Sequence, residues 1–139
     1  YNIHKVKKEV LYMNLDSFLF ICRISKRYAG CRYIRYAIEL INEAEDKCLI
    51  TKDIYPKIAQ RYDVSPATVE HDIRTIMRIL WESNRDIIKP LFGYMPNKRP
   101  NNFQFLDALA FAYKTICTQE DFPNKELCPA NQVIQADFE

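Results

Sequence analysis

Glycine is almost missing from this 139-residue sequence, which contains only Gly30 and Gly93. A phosphate cradle of the Walker or dinucleotide type needs several glycines in one short loop, so those nucleotide-binding classes are excluded. No apolar run approaches the ~20 residues of a membrane span. Nor does a charged segment followed by an apolar stretch and a small-residue cleavage site mark an export signal. A surplus of one charge is lacking too, since 20 Lys and Arg stand against 18 Asp and Glu, a net charge of +2. A nucleic-acid partner would have to be met by local placement of charge rather than by overall basicity. The five cysteines, Cys22, Cys31, Cys48, Cys117 and Cys128, are odd in number and form no C-x-x-C pair. That pattern argues against a disulfide framework and against a zinc site, and it fits a reducing compartment. The chain reads as cytoplasmic and free of membrane association.

What is present is helical periodicity. A hydrophobic share of 48% against 27% charged residues supports one compact domain with a real core. Apolar residues recur at three- and four-residue spacing from about Val6 to Arg23, through Val10, Leu11, Leu15, Phe18, Leu19 and Cys22. A second helix is predicted from Gly30 to about Glu45, with Tyr33, Ile34, Ala37, Ile38 and Ile41 on one stripe. A short third begins near Thr51 or Asp53, tolerates Pro56 only in its first turn, and ends at Arg61 or Tyr62. Ser65 followed by Pro66 is a cap and first-position signal for a long helix reaching about Glu82. Asp86 to Phe92 reads as one short helix that Pro90 interrupts. Gly93 to Pro100 reads as loop, and Asn101 or Asn102 caps a last helix through about Ile116. No strand alternation, hairpin turn or repeat competes with this pattern. The expected fold is all-α, a compact bundle of about six helices containing a helix-turn-helix.

The long helix carries the functional signal. At about 100° per residue, Val69, Ile73, Ile76, Met77 and Leu80 form one stripe, and Ala67, His71, Arg74 and Arg78 form the opposite one, flanked by Glu70 and Thr75. An exposed row of Arg, His and Glu suits the major groove, where Arg donates two hydrogen bonds to guanine and Glu accepts from cytosine. The plain alternative is the solvated face of an amphipathic helix. Trp81 lies at the edge of the apolar stripe and reads as core. Two histidines and unpaired cysteines offer no convergent acid–base or nucleophilic set, so the chain reads as a non-enzyme without cofactor or metal.

Several motifs stand in order over about 80 residues. They are Gly30-Cys31-Arg32-Tyr33-Ile34-Arg35-Tyr36-Ala37-Ile38, then Ile50-Thr51-Lys52 with Tyr55-Pro56-Lys57-Ile58-Ala59, then Val69-Glu70, Ile73-Arg74 and Trp81. Leu91-Phe92-Gly93-Tyr94 and Lys98-Arg99-Pro100-Asn101-Asn102 before Phe105 complete them. In this the chain resembles the C-terminal effector domain of the stage zero sporulation protein A family of response regulators.

The resemblance implies a six-helix bundle that binds double-stranded DNA to regulate transcription, with the recognition helix at about Ser65 to Trp81. It implies base contacts from Glu70 and Arg74, with Thr68, His71 and Arg78 on the same face. Phosphate contacts are implied at Thr51, Lys52, Lys98 and Arg99, with Ser65 at the helix start. It further implies a receiver domain upstream of Tyr1, and because one small module rarely buries enough surface for high specificity, a homodimer on tandem half-sites is expected. Thr68 and His71 stand where the family carries arginine, and Asp72 replaces a small residue. These departures motivate the alternative of a protein-interaction module that keeps the fold and has lost DNA readout. On this reading residues 1–29 are an N-terminal helix and connector, 30–117 the effector domain, and 118–139 an irregular tail.

Overall fold

The computed structural model describes residues 14–44 and 49–117. Among these residues there are six α-helices and no strand, so the all-α expectation holds. The irregular tail at 118–139 lies outside the described residues, as do Val10 and Leu11.

The first described helix, α1 (Leu15–Ile21), is not one unbroken run with the residues before it, because Asn14 interrupts it. Asn14 is extended at φ −84° and ψ 170°, and its side chain accepts the Ser17 N–H at 2.7 Å. That bond satisfies an otherwise orphaned donor of the first turn and sets the start of this helix at Leu15; the earlier part of the predicted run, from Val6, lies outside the described residues. The helix also stops short of Arg23, which takes the left-handed region at φ 66°. Arg23 N–H then closes on the Phe20 carbonyl at 2.9 Å and Ile24 N–H on Leu19 at 3.0 Å, a Schellman ending.

The second helix, α2 (Ala29–Glu43), turns Tyr33, Ile34, Ala37 and Ile38 into the core as its stripe predicts. A π-helical turn at Ile50–Ile54 then leads into α3 (Tyr55–Tyr62). Here the sequence suggests an ordinary helix start, and Pro56 explains the difference. In α-helical register its ring would press on the Lys52 carbonyl, and the wider turn relieves that clash.

The long helix α4 (Pro66–Ser83) buries Val69, Ile73, Ile76, Met77 and Leu80, the residues of the apolar stripe. Trp81 packs half-buried against the core, with the Arg85 guanidinium 3.9 Å from its ring centroid. A 3₁₀ turn at Arg85–Ile87 precedes α5 (Ile88–Phe92). The predicted break at Pro90 therefore falls before Ile88, and Pro90 sits in the first turn of α5, where a proline costs little. Gly93 ends α5 at φ 84°. The last helix is α6 (Asn102–Cys117).

α2 is the centre of the bundle and packs on both α4 and α6. Its contact with α4 is close enough to need glycine. A Cβ at Gly30 would stand 2.5 Å from the Asp72 carbonyl oxygen and 2.8 Å from Ile76 Cγ1. Leu15, Phe18 and Leu19 of α1 join the same core, and the Phe18 ring lies 5.4 Å from that of Tyr113 on α6. Cys22 and Cys31 are buried, and burial pushes the Cys31 thiol up, away from the reactive thiolate. Among the described residues no helix is long and apolar enough to cross a membrane.

Candidate nucleic-acid interface

The corner between α3 and α4 is built by three residues. Asp63 adopts φ 56° and ψ 51°, a left-handed cap that aspartate tolerates better than most side chains. Its N–H and that of Val64 both close on the Ala59 carbonyl. The chain then extends at Ser65, whose hydroxyl accepts the Thr68 N–H at 3.1 Å. Pro66 follows at the first helical position, where its missing N–H costs nothing. The result is an 18-residue helix held along one side and open along the other.

On the open side Ala67, Thr68, His71, Arg74 and Arg78 are exposed, and Glu70 and Thr75 are half-buried at the edges. The guanidinium of Arg74 meets the Glu70 carboxylate at 2.6 Å, and that of Arg78 approaches Glu82 at 3.5 Å. Both pairs lie within one helix at four-residue spacing. His71 Nδ1 lies 3.3 Å from Asp72 Oδ1, and Asp72 is half-buried on the flank that faces Gly30. The Thr68 hydroxyl is 2.9 Å from that of Ser65. Its polar end is therefore already engaged in the cap, a link that sequence spacing alone does not reveal.

A cleft of about 570 Å³ lies beside this face, between the π-helical turn, the start of α4 and the start of α6. Thr51, Glu70, Arg74 and Arg99 all line it. These four residues are spread over nearly fifty positions of sequence, and the fold gathers them on one concavity. Lys52 and Lys98 are exposed on the same two segments but outside its walls, as are Ser65, Thr68, His71 and Arg78. The lining includes Tyr55, which the sequence places only in a helix, and Asn102, which it offers only as a helix cap. Burial pushes the Tyr55 phenol up, with the nearby Glu70 carboxylate adding to the effect, while the hydrogen bond from Asn102 and the Arg74 charge oppose it. Tyr55 thus stays a neutral phenol. No group of three His, Cys, Asp or Glu placed to hold a metal exists among the described residues.

A second cationic surface was not singled out by the sequence. The Arg61 guanidinium lies 4.4 Å from the Tyr36 ring centroid, and that of Arg32 lies 5.5 Å from that of Tyr62. Tyr62 also packs at a tilt on Tyr33 at 5.4 Å and edgewise on Tyr36 at 6.5 Å. These guanidiniums roof an aromatic cluster, a use of Arg that stabilises packing and needs no ligand.

The fold, the open face of α4 and the cleft beside it agree with one family model, described as sporulation initiation factor Spo0A C terminal, which matches residues 17–112. The match takes in α1 through most of α6. The chain belongs to this family of DNA-binding sporulation regulators, the C-terminal domains of Spo0A.

Proposed function

We propose that this chain binds double-stranded DNA sequence-specifically, with α4 in the major groove. The observation that carries the reading is the position of Arg74. It lies on the open face of α4, paired among the described residues with Glu70 of its own helix, at the edge of a cleft shared with Thr51 and Arg99. A pair of this kind opens without moving backbone, so guanine can take the guanidinium from the carboxylate and cytosine can meet Glu70. His71, Arg78 and Thr68 complete the face that meets base edges. Thr51, Lys52, Ser65, Lys98 and Arg99 meet phosphates, which set register rather than sequence. Two copies on adjacent half-sites supply the contact area that one small module lacks. A receiver domain upstream of Tyr1 would control their pairing.

Selection from a random duplex library at about 100 mM salt tests this, with salt fixed because phosphate contacts make affinity steeply salt-dependent. An enriched short motif is expected. On that motif Arg74→Ala should lose about 1–3 kcal/mol and relax base choice at one position. Lys98→Ala should weaken all duplexes alike and lower the salt slope by about one. Equal losses on selected and random DNA for Arg74→Ala would remove its assigned role.

A second reading is favoured by the charge of α4 itself, where Glu70, Asp72 and Glu82 outnumber Arg74 and Arg78. A helix of that balance suits a protein partner. A folded chain that enriches no duplex would support this interaction module.

A further inference from the structure

Asn101 and Asn102 are equivalent cap candidates by sequence, and the structure separates them. Asn101 Oδ1 accepts the Gln104 N–H at 2.8 Å, and Gln104 Oε1 accepts the Asn101 N–H at 3.0 Å. This reciprocal pair is a capping box, and it makes Asn101 the cap of α6. Asn102 is thereby released to turn inward, where it is only 9% exposed.

Its Nδ2 donates to the Glu70 carbonyl at 2.9 Å and to the Tyr55 hydroxyl at 3.0 Å. The Glu70 carbonyl can only accept, which fixes which end of the amide faces it. The Oδ1 is buried and meets no donor among the described residues. A side chain kept at this place for packing alone would be apolar, because burying an amide oxygen without a donor is unfavourable. The placement therefore calls for another explanation.

One side chain joins three elements here. Glu70 belongs to the helix assigned to base edges, and Tyr55 opens the helix that follows Thr51 and Lys52. Asn102 itself follows Lys98 and Arg99 by a few residues. Base contacts and phosphate contacts must be made in one docking pose, since phosphates set the register in which bases are read. Within the described residues, the Asn102 amide is a polar link from α4 to the two segments outside it that carry those phosphate contacts.

We propose that Asn102 is a positioning residue for DNA readout, whose amide fixes the distance between the recognition helix and the Lys98–Arg99 loop. The proposal rests on the DNA-binding reading above. It is tested on the full chain with Asn102→Asp and Tyr55→Phe, measuring melting temperature, affinity for the selected duplex and for random duplex, and the salt slope of each. Asn102→Asp keeps the shape but sets an acceptor against the Glu70 carbonyl. It should lose about tenfold on selected DNA, the scale of one lost base contact, with under about threefold lost on random DNA. The salt slope on selected DNA should fall by about one as the loop disengages. Tyr55→Phe keeps the Glu70 bond and should lower the ratio of selected to random affinity by about twofold to threefold, a smaller effect because one arm remains.

A lowered melting temperature with an unchanged affinity ratio in both variants would overturn the proposal and leave Asn102 a structural residue. If Asn102→Asp does not fold, Tyr55→Phe decides alone, and an unchanged ratio there overturns it. A wild-type chain that selects no duplex removes the DNA reading, and this proposal with it. A wild-type chain that selects DNA while the variants keep its ratio removes the proposal only.

Discussion

Two sets of ion pairs divide this molecule. On α4 they join Glu70 to Arg74 at 2.6 Å and Arg78 to Glu82 at 3.5 Å, each within one helix. Elsewhere they join Arg23 to Asp86 at 2.6 Å and Arg35 to Asp16 at 2.8 Å, each between distant segments, and the same Arg35 also reaches Glu39 of its own helix at 3.1 Å. Residue types and exposure are alike in the two sets. What differs is the consequence of opening them. A pair at four-residue spacing contributes a few tenths of a kcal/mol, and the helix survives its loss. A pair between elements holds α1 or the turn before α5 against the rest of the bundle. The first set can therefore be exchanged for a ligand, and the second serves architecture. Exposure of charge does not separate the two sets, whereas a partner on a distant segment does.

The most severe way to break this comparison is to disturb the contact that seats α4 on α2. Gly30→Ala places a Cβ against the Asp72 carbonyl and Ile76, so α4 must move away from α2. The expected cost is about 1–3 kcal/mol of stability, the range for overpacking. Thermal unfolding followed by circular dichroism measures it. Affinity for every duplex should fall in the same proportion, since no single contact is removed. A rise in melting temperature, as alanine alone would bring to an exposed helical position, would show that the two backbones are not in contact.

Much of α4 was legible because its two faces differ chemically and because Ser65 and Pro66 announce its start. The five residues of its apolar stripe are the five that are buried. The start of α1 was not legible, since the apolar spacing continues before Asn14 and only the cap geometry shows where the helix begins. The π-helical turn leaves no periodic trace and follows from the demands of one proline. Sequence named Thr51, Glu70, Arg74 and Arg99 as candidates, yet nothing in spacing shows that they share one cleft. Asn101 and Asn102 are the same residue type side by side, and only the long-range partners Tyr55 and Glu70 tell them apart.

A milder test addresses the architectural pairs. The Arg35 guanidinium hydrogen-bonds the Asp16 carboxylate and holds it below the usual carboxylate range. Arg23 does the same for Asp86. A carboxylate whose folded value is depressed contributes stability above its unfolded value and loses it as pH falls through the folded one. The contribution is therefore complete at neutral pH and declines below about pH 4. Asp16→Asn should cost under about 1 kcal/mol, because the pair is exposed and screened by water and salt. It should also flatten the acid limb of a stability-against-pH curve and leave DNA affinity unchanged. An unaltered acid limb would mean that the pair holds nothing.

The smallest expected effect gives the sharpest contrast. Glu82→Gln removes the partner of Arg78 without touching the core, since the Glu82 side chain is 57% exposed. Stability should change by no more than about 0.5 kcal/mol, as for other pairs at this spacing. Affinity for DNA should rise, because Arg78 is released and a carboxylate that repels phosphate is gone. The gain should be larger at about 50 mM than at about 200 mM salt, since screening weakens such a term. Asp16→Asn makes the same change of one charge on α1. If both substitutions raise affinity by the same factor, net charge alone governs binding and the division into exchangeable and architectural pairs fails. If only Glu82→Gln does, the face of α4 is where DNA is met.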